Sequence, residues 1–272
     1  MAIIYQKHFV IIVHYGSLSV TKRLISQVIN PKNHCEKVII IDHGPQKFPN
    51  SVDKKVLVIH PEKNGGYAAG INLGLGVIAS QGALSHDLVT LLNNDLQIES
   101  DILNKINNWW RRQLENNPHI HILAGANSGH VNFLTGRASL KPWAKGGRAG
   151  VYLDGALLTA PYSTFLKLKG LPEEYFLYWE DVALSFRARA AGIKLAIIPN
   201  LNVKNPGSQK PATGDKLYYL VRNGAYFLAS QTPPPVRLYW FILNRLRLLF
   251  HADQTIRQAL KDAINNKMGA RS

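Results

Sequence analysis

Phe9-Val-Ile-Ile-Val-His-Tyr15, followed by Lys37-Val-Ile-Ile-Ile-Asp42, is the stretch that decides the fold. Both runs are short, β-branched and almost continuously apolar. They lack the polar alternation of a half-exposed strand, so each reads as a strand buried on both faces. Between them the pattern turns helical. Ser17 or Ser19 is placed to cap a helix that runs to about Asn30, ahead of Pro31. Lys55-Val-Leu-Val-Ile-His60 supplies a third strand, and Asn64-Gly65-Gly66 opens a small-residue helix through about Ala79. Asp87-Leu-Val-Thr-Leu-Leu-Asn93 is a fourth strand. Ser100 then stands to cap a helix carrying Trp109 and Trp110, and His119 to Ala124 is a fifth strand. Strands alternating with helices over short connections predict an α/β chain, with a mostly parallel central sheet covered by helices on both faces.

The second half is less regular. From Ser128 to Gly150 the glycines Gly129, Gly136, Gly146, Gly147 and Gly150 break the pattern, and Arg137, Lys141, Lys145 and Arg148 add charge without one acid. This predicts a long mobile loop. A short strand at Val151, a helix from about Pro161, a helix from about Glu180 to Ala191 with Gly192 after it, and a strand from Lys194 to Ile198 follow. Further helices are expected from about Thr213 to Ser230 and from Val236 onward, divided by Pro233-Pro234-Pro235. The chain thus divides into a domain over residues 1–230 and a basic amphipathic helical tail over 231–272.

Composition narrows the function classes. The chain has 272 residues, 46% of them hydrophobic and 18% charged, which excludes wholesale disorder. Its single cysteine, Cys35, excludes an intramolecular disulfide framework and a Cys-rich zinc site, and fits a reducing compartment. The run Phe9 to Val13 is too short for a signal peptide, and no segment reaches the roughly 18 apolar residues of a spanning helix. The expected location is the cytoplasm, either free or peripheral at the inner face of a membrane. The net charge of +15 points to an anionic partner. Residues 204–272 hold eleven Lys and Arg against three Asp, a net +8. No zinc-finger spacing and no aromatic-interleaved RNA motif accompanies this charge, so nucleic acid is not the expected partner.

Within the tail, Val236 to His251 has three arginines and no acid. At helical spacing Arg237, Asn244, Arg247 and His251 share one face, with Trp240, Phe241, Leu243, Leu248 and Phe250 largely away from it. Such a helix either lies on an anionic membrane surface or closes the domain with a solvated basic stripe.

Ligands of open α/β sheets bind beyond the carboxyl ends of the strands. Asp42 ends the second strand, Asn93-Asn94-Asp95 ends the fourth, and Asn64-Gly65-Gly66 follows the third. A carboxylate on a strand-end turn suits a hard divalent cation that also binds phosphate oxygens; the other reading is an Asx-capped turn. The stretch Asn64 to Asn72 lacks Gly-x-Gly-x-x-Gly spacing, which argues against a dinucleotide site, although a helix N-terminus can still face phosphate. Tyr178-Trp179-Glu180-Asp181 places two acids at a helix start. They serve the helix dipole, or they do base chemistry beside the aromatic wall Tyr175-Phe176-Leu177-Tyr178-Trp179, whose ring faces suit a sugar.

Taken in order, these segments resemble the inverting glycosyltransferases of family 2, which have the GT-A fold, and within that family the rhamnosyltransferase-like enzymes of bacterial surface polysaccharide synthesis. The resemblance spans about residues 8–228. It is carried by Val10-Ile-Ile-Val-His-Tyr-Gly-Ser17, Val38-Ile-Ile-Ile-Asp42, Asn64-Gly-Gly-Tyr-Ala-Ala-Gly-Ile-Asn72-Leu-Gly74 and Leu91-Leu-Asn-Asn-Asp95. Asp154-Gly-Ala156, Phe176-Leu-Tyr-Trp-Glu-Asp181 and Tyr218-Tyr219 with Arg222-Asn223 complete it.

The resemblance implies a nucleotide-diphosphate sugar donor, with a dTDP- or UDP-sugar expected, and a saccharide or lipid-linked acceptor. Asp181 would be the general base. Tyr15, Asp42, Asn64, Gly65, Asn72, Asn93 and Asn94 would form the nucleotide side, with Asp42 on the base. Asp154, Gly155, Trp179 and Glu180 would form the acceptor and sugar side. Asp95 would hold Mg²⁺ or Mn²⁺. Three positions depart from the family pattern. Asn93 replaces the first acid of the metal motif, and Ala183 stands where members often carry a second acid. Lys204 or Asn205 stands where many place a His, and either would contact the diphosphate; a Lys there would neutralise its charge directly, with less dependence on metal. Two other functions remain open in the sequence: a non-catalytic carbohydrate or nucleotide binder on the same scaffold, and an NAD-dependent oxidoreductase.

Overall fold

The computed structural model describes residues 7–50, 53–117, 120–140, 150–206 and 212–271. Its centre is a seven-stranded sheet. The N-terminal strands are β1 (His8–His14), β2 (Lys37–Asp42), β3 (Val56–Ile59) and β4 (Leu88–Asn93). All their pairings are parallel: β1 lies between β2 and β4, and β3 is beyond β2. Helices α1 (Leu18–Val28) and α2 (Gly66–Ser80) make the crossovers. Every residue of β1 is buried. Successive strand residues point to opposite faces, so both faces of the sheet are covered.

The C-terminal half of the sheet hangs on one antiparallel strand. After β5 (Gln97–Ile98), α3 (Ile102–Asn116), β6 (Ile122–Gly125), β7 (Ser128–Val131), β8 (Ala138–Ser139) and β9 (Val151–Leu153), the chain forms β10 (Leu157–Pro161). Strand β10 inserts between β4 and β6 and runs antiparallel to both. Its start therefore lies at the same edge as the end of β4, with Leu157 opposite Leu92. A buried polar thread helps set this register. The Thr90 hydroxyl donates to Thr159 at 3.0 Å and lies 2.7 Å from His8 Nε2. The remaining elements are α4 (Tyr162–Lys167), α5 (Glu180–Ala190), β11 (Lys194–Ile197), β12 (Val203–Lys204), α6 (Gly214–Ser230), α7 (Pro234–Phe250) and α8 (Gln254–Ile264). Strand β11 pairs parallel with β6. The last two helices pack back on α6 and on each other.

Four expectations need correction. The pattern over 128–150 reads as a mobile loop, but residues 128–140 include β7 and β8, which pair with β9 in a three-stranded antiparallel sheet; Lys141, Lys145, Gly146, Gly147 and Arg148 lie outside the described residues. Strand β10 has no counterpart in the sequence pattern. The helix with Trp109 and Trp110 starts one residue later, with Asp101 at its N-cap position instead of Ser100. The faces of α7 are turned: Asn244 points inward with Trp240, because its amide donates to the Ala225 carbonyl at 3.1 Å, while Phe241 and Phe250 face out.

Glycines in α2 set how closely that helix approaches the sheet. A Cβ on Gly74 would lie 2.5 Å from Ile11 Cγ2, whereas one on Gly76 would meet nothing. Gly74→Val is therefore expected to lower stability by about 1–3 kcal/mol through overpacking. Gly76→Ala should raise it by up to ~1 kcal/mol, because alanine suits a helix interior. Urea unfolding of the two variants reads both; equal effects would contradict the packing.

Candidate active site

The end of β4, the start of β10 and the head of α5 converge on a cavity of about 1100 Å³. Three segments line its sheet side: Val13 near the end of β1 with Tyr15 just after it, Asn93-Asn94-Asp95 at the end of β4, and Asp154-Gly155-Ala156 before β10. The Asn93 N–H donates to the Ala156 carbonyl at 3.0 Å, tying the last two together. Asn94 ties the first to the second: its amide donates to the Tyr15 carbonyl at 2.9 Å and to the Thr21 hydroxyl at 3.1 Å. The Tyr15 ring stays exposed at the rim, a free aromatic face.

The opposite wall is Phe176 to Val182. Tyr178 (φ 68°) and Trp179 (φ 74°) both adopt the left-handed backbone, although neither is glycine. This conformation is costly and needs support from its surroundings. The support comes from α6. Asn223 is fully buried, and its amide donates to the carbonyls of Leu177 and Tyr178, each at 2.8 Å. Arg222 Nε holds the Asn223 oxygen at 2.9 Å. The Trp179 indole lies against Gly224, where a Cβ would come within 2.8 Å of the ring.

This turn aims Glu180 and Asp181 at the cavity. Asp181 accepts from the N–H of Gly155 at 2.9 Å and from its neighbour Val182 at 2.7 Å. Burial raises its carboxyl above the ordinary range; the Gly155 N–H opposes this and the Asp154 charge adds to it. Glu180 is also raised, first by burial and then by the Asp181 charge, and its Oε2 has no hydrogen-bond partner. Asp154 is raised by burial, against the pull of the Ala156 N–H and the Asn127 side chain. Three acids whose charged forms are disfavoured thus meet across the cavity, Asp154 from the sheet side and Glu180 and Asp181 from the opposite wall, near the half-buried Tyr67 and the buried Tyr152.

Of the residues expected at a site, the cavity brings together Tyr15, Asn64, Asn93, Asn94 and Asp95 with Asp154, Gly155, Trp179, Glu180, Asp181 and Asn205. Gly65, Asp42, Asn72 and Lys204 are not among its lining residues. The Asp42 carboxylate turns inward, accepting from Gly44 N–H at 3.0 Å and Phe48 N–H at 2.7 Å, and lying 2.9 Å from His60 Nδ1. Burial works to raise its pKa, but these partners outweigh burial and hold it below the ordinary range. Its neighbour His43 lines the cavity instead. Asn72 spends its amide on the turn after α4, donating to the Leu171 carbonyl and Glu173 and accepting from the Leu171 N–H. Lys204 is exposed on β12, opposite Gln97.

Two cations that sequence reasoning missed line the cavity: Lys216 in the first turn of α6, and Arg271. Arg271 is held at the rim by Asp215 (2.8 Å) and by its own N–H to the Tyr219 oxygen (2.8 Å). A lysine at a predicted helix start was a usable signal for the first. Nothing local marks Arg271, whose place depends on α8 folding back.

No protein-family profile and no curated protein matches the chain. Solved structures do. GalNAc-T7, determined with UDP, GalNAc and Mn²⁺, superposes with a TM-score of 0.62 at 14% identity, covering 95% of this chain. The chain spans about half of that protein, 54% of its length. TarS 1–349 of S. aureus matches with a TM-score of 0.54 at 14% identity, over 96% of this chain and 82% of that one. The mannosyltransferase PcManGT from Pyrobaculum calidifontis, in complex with GDP-Man and Mn²⁺, gives 0.53 at 14% identity, over 96% and 75%. The fold is therefore of the GT-A type.

The raised Glu180 fixes a pH dependence. A carboxyl whose folded pKa lies above its unfolded value contributes stability that is fully present below the unfolded value and is lost as pH rises through the folded one. Glu180→Gln removes that loss. The variant should melt higher than the parent at neutral pH, with the difference shrinking towards acid pH. Melting curves across pH check this, and a lower melting point at neutral pH would contradict it.

Proposed function

We propose that the chain is a nucleotide-sugar-dependent glycosyltransferase that transfers with inversion to an acceptor hydroxyl. The observation that carries this reading is the placement of Asp181. It is a half-buried carboxyl with a raised pKa, at a cavity beyond the carboxyl ends of the strands that Asp95 also lines. A base tuned toward neutral pH is effective in accepting a proton from a hydroxyl. In this mechanism Asp181 takes the acceptor proton as the acceptor oxygen attacks the anomeric carbon from the face opposite the nucleotide. The bond from that carbon to the diphosphate oxygen breaks. Tyr15 offers a ring face to the base, Trp179 and Glu180 bound the acceptor side, and the neutral form of Glu180 has a proton to donate to a sugar oxygen.

Among the described residues no group of three or more His, Cys, Asp or Glu is arranged around a metal position. The half-buried carboxylate of Asp95 fits a hard divalent ion that draws its remaining ligands from diphosphate and water. Mg²⁺ or Mn²⁺ held there would neutralise charge on the departing diphosphate. Lys216 and Arg271 reach the same cavity and share that role; Asn205, which is neutral, would only hydrogen-bond the diphosphate, and Lys204 is poorly placed for either. The family 2 and rhamnosyltransferase-like resemblance, the dTDP- or UDP-sugar donor, the saccharide or lipid-linked acceptor and the place in bacterial surface polysaccharide synthesis belong to this proposal.

Asp181→Asn is expected to cut transfer by roughly 10²–10⁴-fold while donor binding persists. Donor binding by calorimetry, paired with turnover, reads both. Near parental turnover would remove Asp181 as the base, and donor binding without turnover in the parent would make the chain a binder. EDTA should reduce turnover without abolishing it, because two protein cations remain. Complete loss that Mg²⁺ or Mn²⁺ restores would refute their share in the charge.

A further inference from the structure

Helix α7 turns its apolar side outward. Trp240 and Asn244 are buried against the domain. Around the opposite half of the helix Leu238, Phe241, Ile242, Leu246, Leu249 and Phe250 are all exposed, with Leu249 at 70% and Phe250 at 83%. Arg245 lies in the middle of this face, its guanidinium 3.5 Å from the centre of the Phe241 ring. Arg237 stands at its border, and α7 contains no acid. The helix is about 25 Å long at 17 residues, and no helix among the described residues is long and apolar enough to cross a membrane.

The apolar surface does not end with the helix. The Tyr239 hydroxyl donates to the Leu134 carbonyl at 3.3 Å, and Trp240 Nε1 to the Phe133 carbonyl at 2.6 Å. These bonds set the exposed Leu134 side chain beside α7. A few residues further on, Leu140 is half exposed and also lines the cavity.

Charge decides what covers this face. A second copy would make an isologous contact, setting Arg245 near its own symmetry mate between two chains of +15 each, with no acid on either helix to compensate. An anionic bilayer supplies an apolar layer for the leucines and phenylalanines and negative charge for the arginines. We propose that the outward face of α7, with Leu134 beside it, docks on an anionic membrane surface. Leu238, Ile242 and Leu249 enter the acyl boundary, and Arg245 extends its guanidinium to the phosphate level. This goes beyond glycosyl transfer and does not depend on it.

Co-sedimentation of the full chain with phosphatidylcholine vesicles, with and without phosphatidylglycerol, tests the proposal. The parent should bind the anionic vesicles and release as salt rises, with little binding to the neutral ones. The triple variant Leu238→Ser, Ile242→Ser, Leu249→Ser and the single variant Arg245→Glu alter exposed positions only, and unchanged melting curves confirm their fold. Each should weaken vesicle binding by roughly tenfold or more. Absent binding by the parent, equal binding to neutral vesicles, or full binding by the triple variant overturns the proposal. So does light scattering that shows a dimer dissolved by the triple variant without vesicle binding, since the face then belongs to a second copy. Donor turnover without vesicles should be unchanged in the triple variant, which keeps this test separate from that of the transferase reading.

Discussion

The two carbonyls that Asn223 holds belong to a turn the backbone would not adopt unaided. Consecutive left-handed residues other than glycine cost on the order of 1–3 kcal/mol each, so the turn at Tyr178 and Trp179 persists only because α6 over-determines it. The same helix segment does more. Gly224 makes room for the Trp179 ring, and Arg222 both orients the Asn223 amide and reaches the Gly269 carbonyl at 2.8 Å. Through that last bond the segment that brings Arg271 to the cavity shares the support of the acidic wall. The acids, the aromatic wall and one cation of the site are thus positioned from a single turn of α6.

Legibility in the sequence followed how local each signal is. Strands β1, β2 and β4 announce themselves because they are buried on both faces and read as unbroken apolar runs. The clusters Asn93-Asn94-Asp95 and Glu180-Asp181 announce themselves because polar residues at a strand end or a helix start stand out against apolar neighbours. Strand β10 did not, because Leu157-Leu-Thr-Ala-Pro161 runs straight into α4 without a turn signal. The glycines after Ser128 misled for a definite reason. Gly129 lies so close to the Tyr152 ring, and Gly150 to the Val131 carbonyl, that neither has room for a Cβ. They mark close strand approach, not a mobile loop. Asp42 and Asn72 sit where the pattern placed them, but the direction of a side chain depends on tertiary partners such as His60 and Leu171, which no local pattern contains. The inward turn of Asn244 depends in the same way on the Ala225 carbonyl.

The basic excess resolves into places. Lys216 and Arg271 line the cavity, whereas Arg245 and Arg237 stand at an apolar surface. The pattern grouped Arg237, Asn244, Arg247 and His251 on one face of α7, but Asn244 turns inward and Arg245, which that grouping left out, stands within the outward apolar face. Basic residues lie within and beside the apolar stripe, the arrangement that serves an interface between oil and negative charge better than one between protein and water.

Strand β10 has a consequence for how the protein is made. Among the described residues, strands β1–β4 and the pair β6 and β11 share no direct pairing; β10 alone bridges them. During synthesis, β1 to β4 can assemble early, but the outer edge of β4 then waits, apolar and unpaired, until residues 157–161 leave the ribosome. An unpaired strand of that kind is a template for the wrong partner. Fragments ending before Leu157 should therefore be sticky, and the nascent chain has reason to meet a chaperone at that stage.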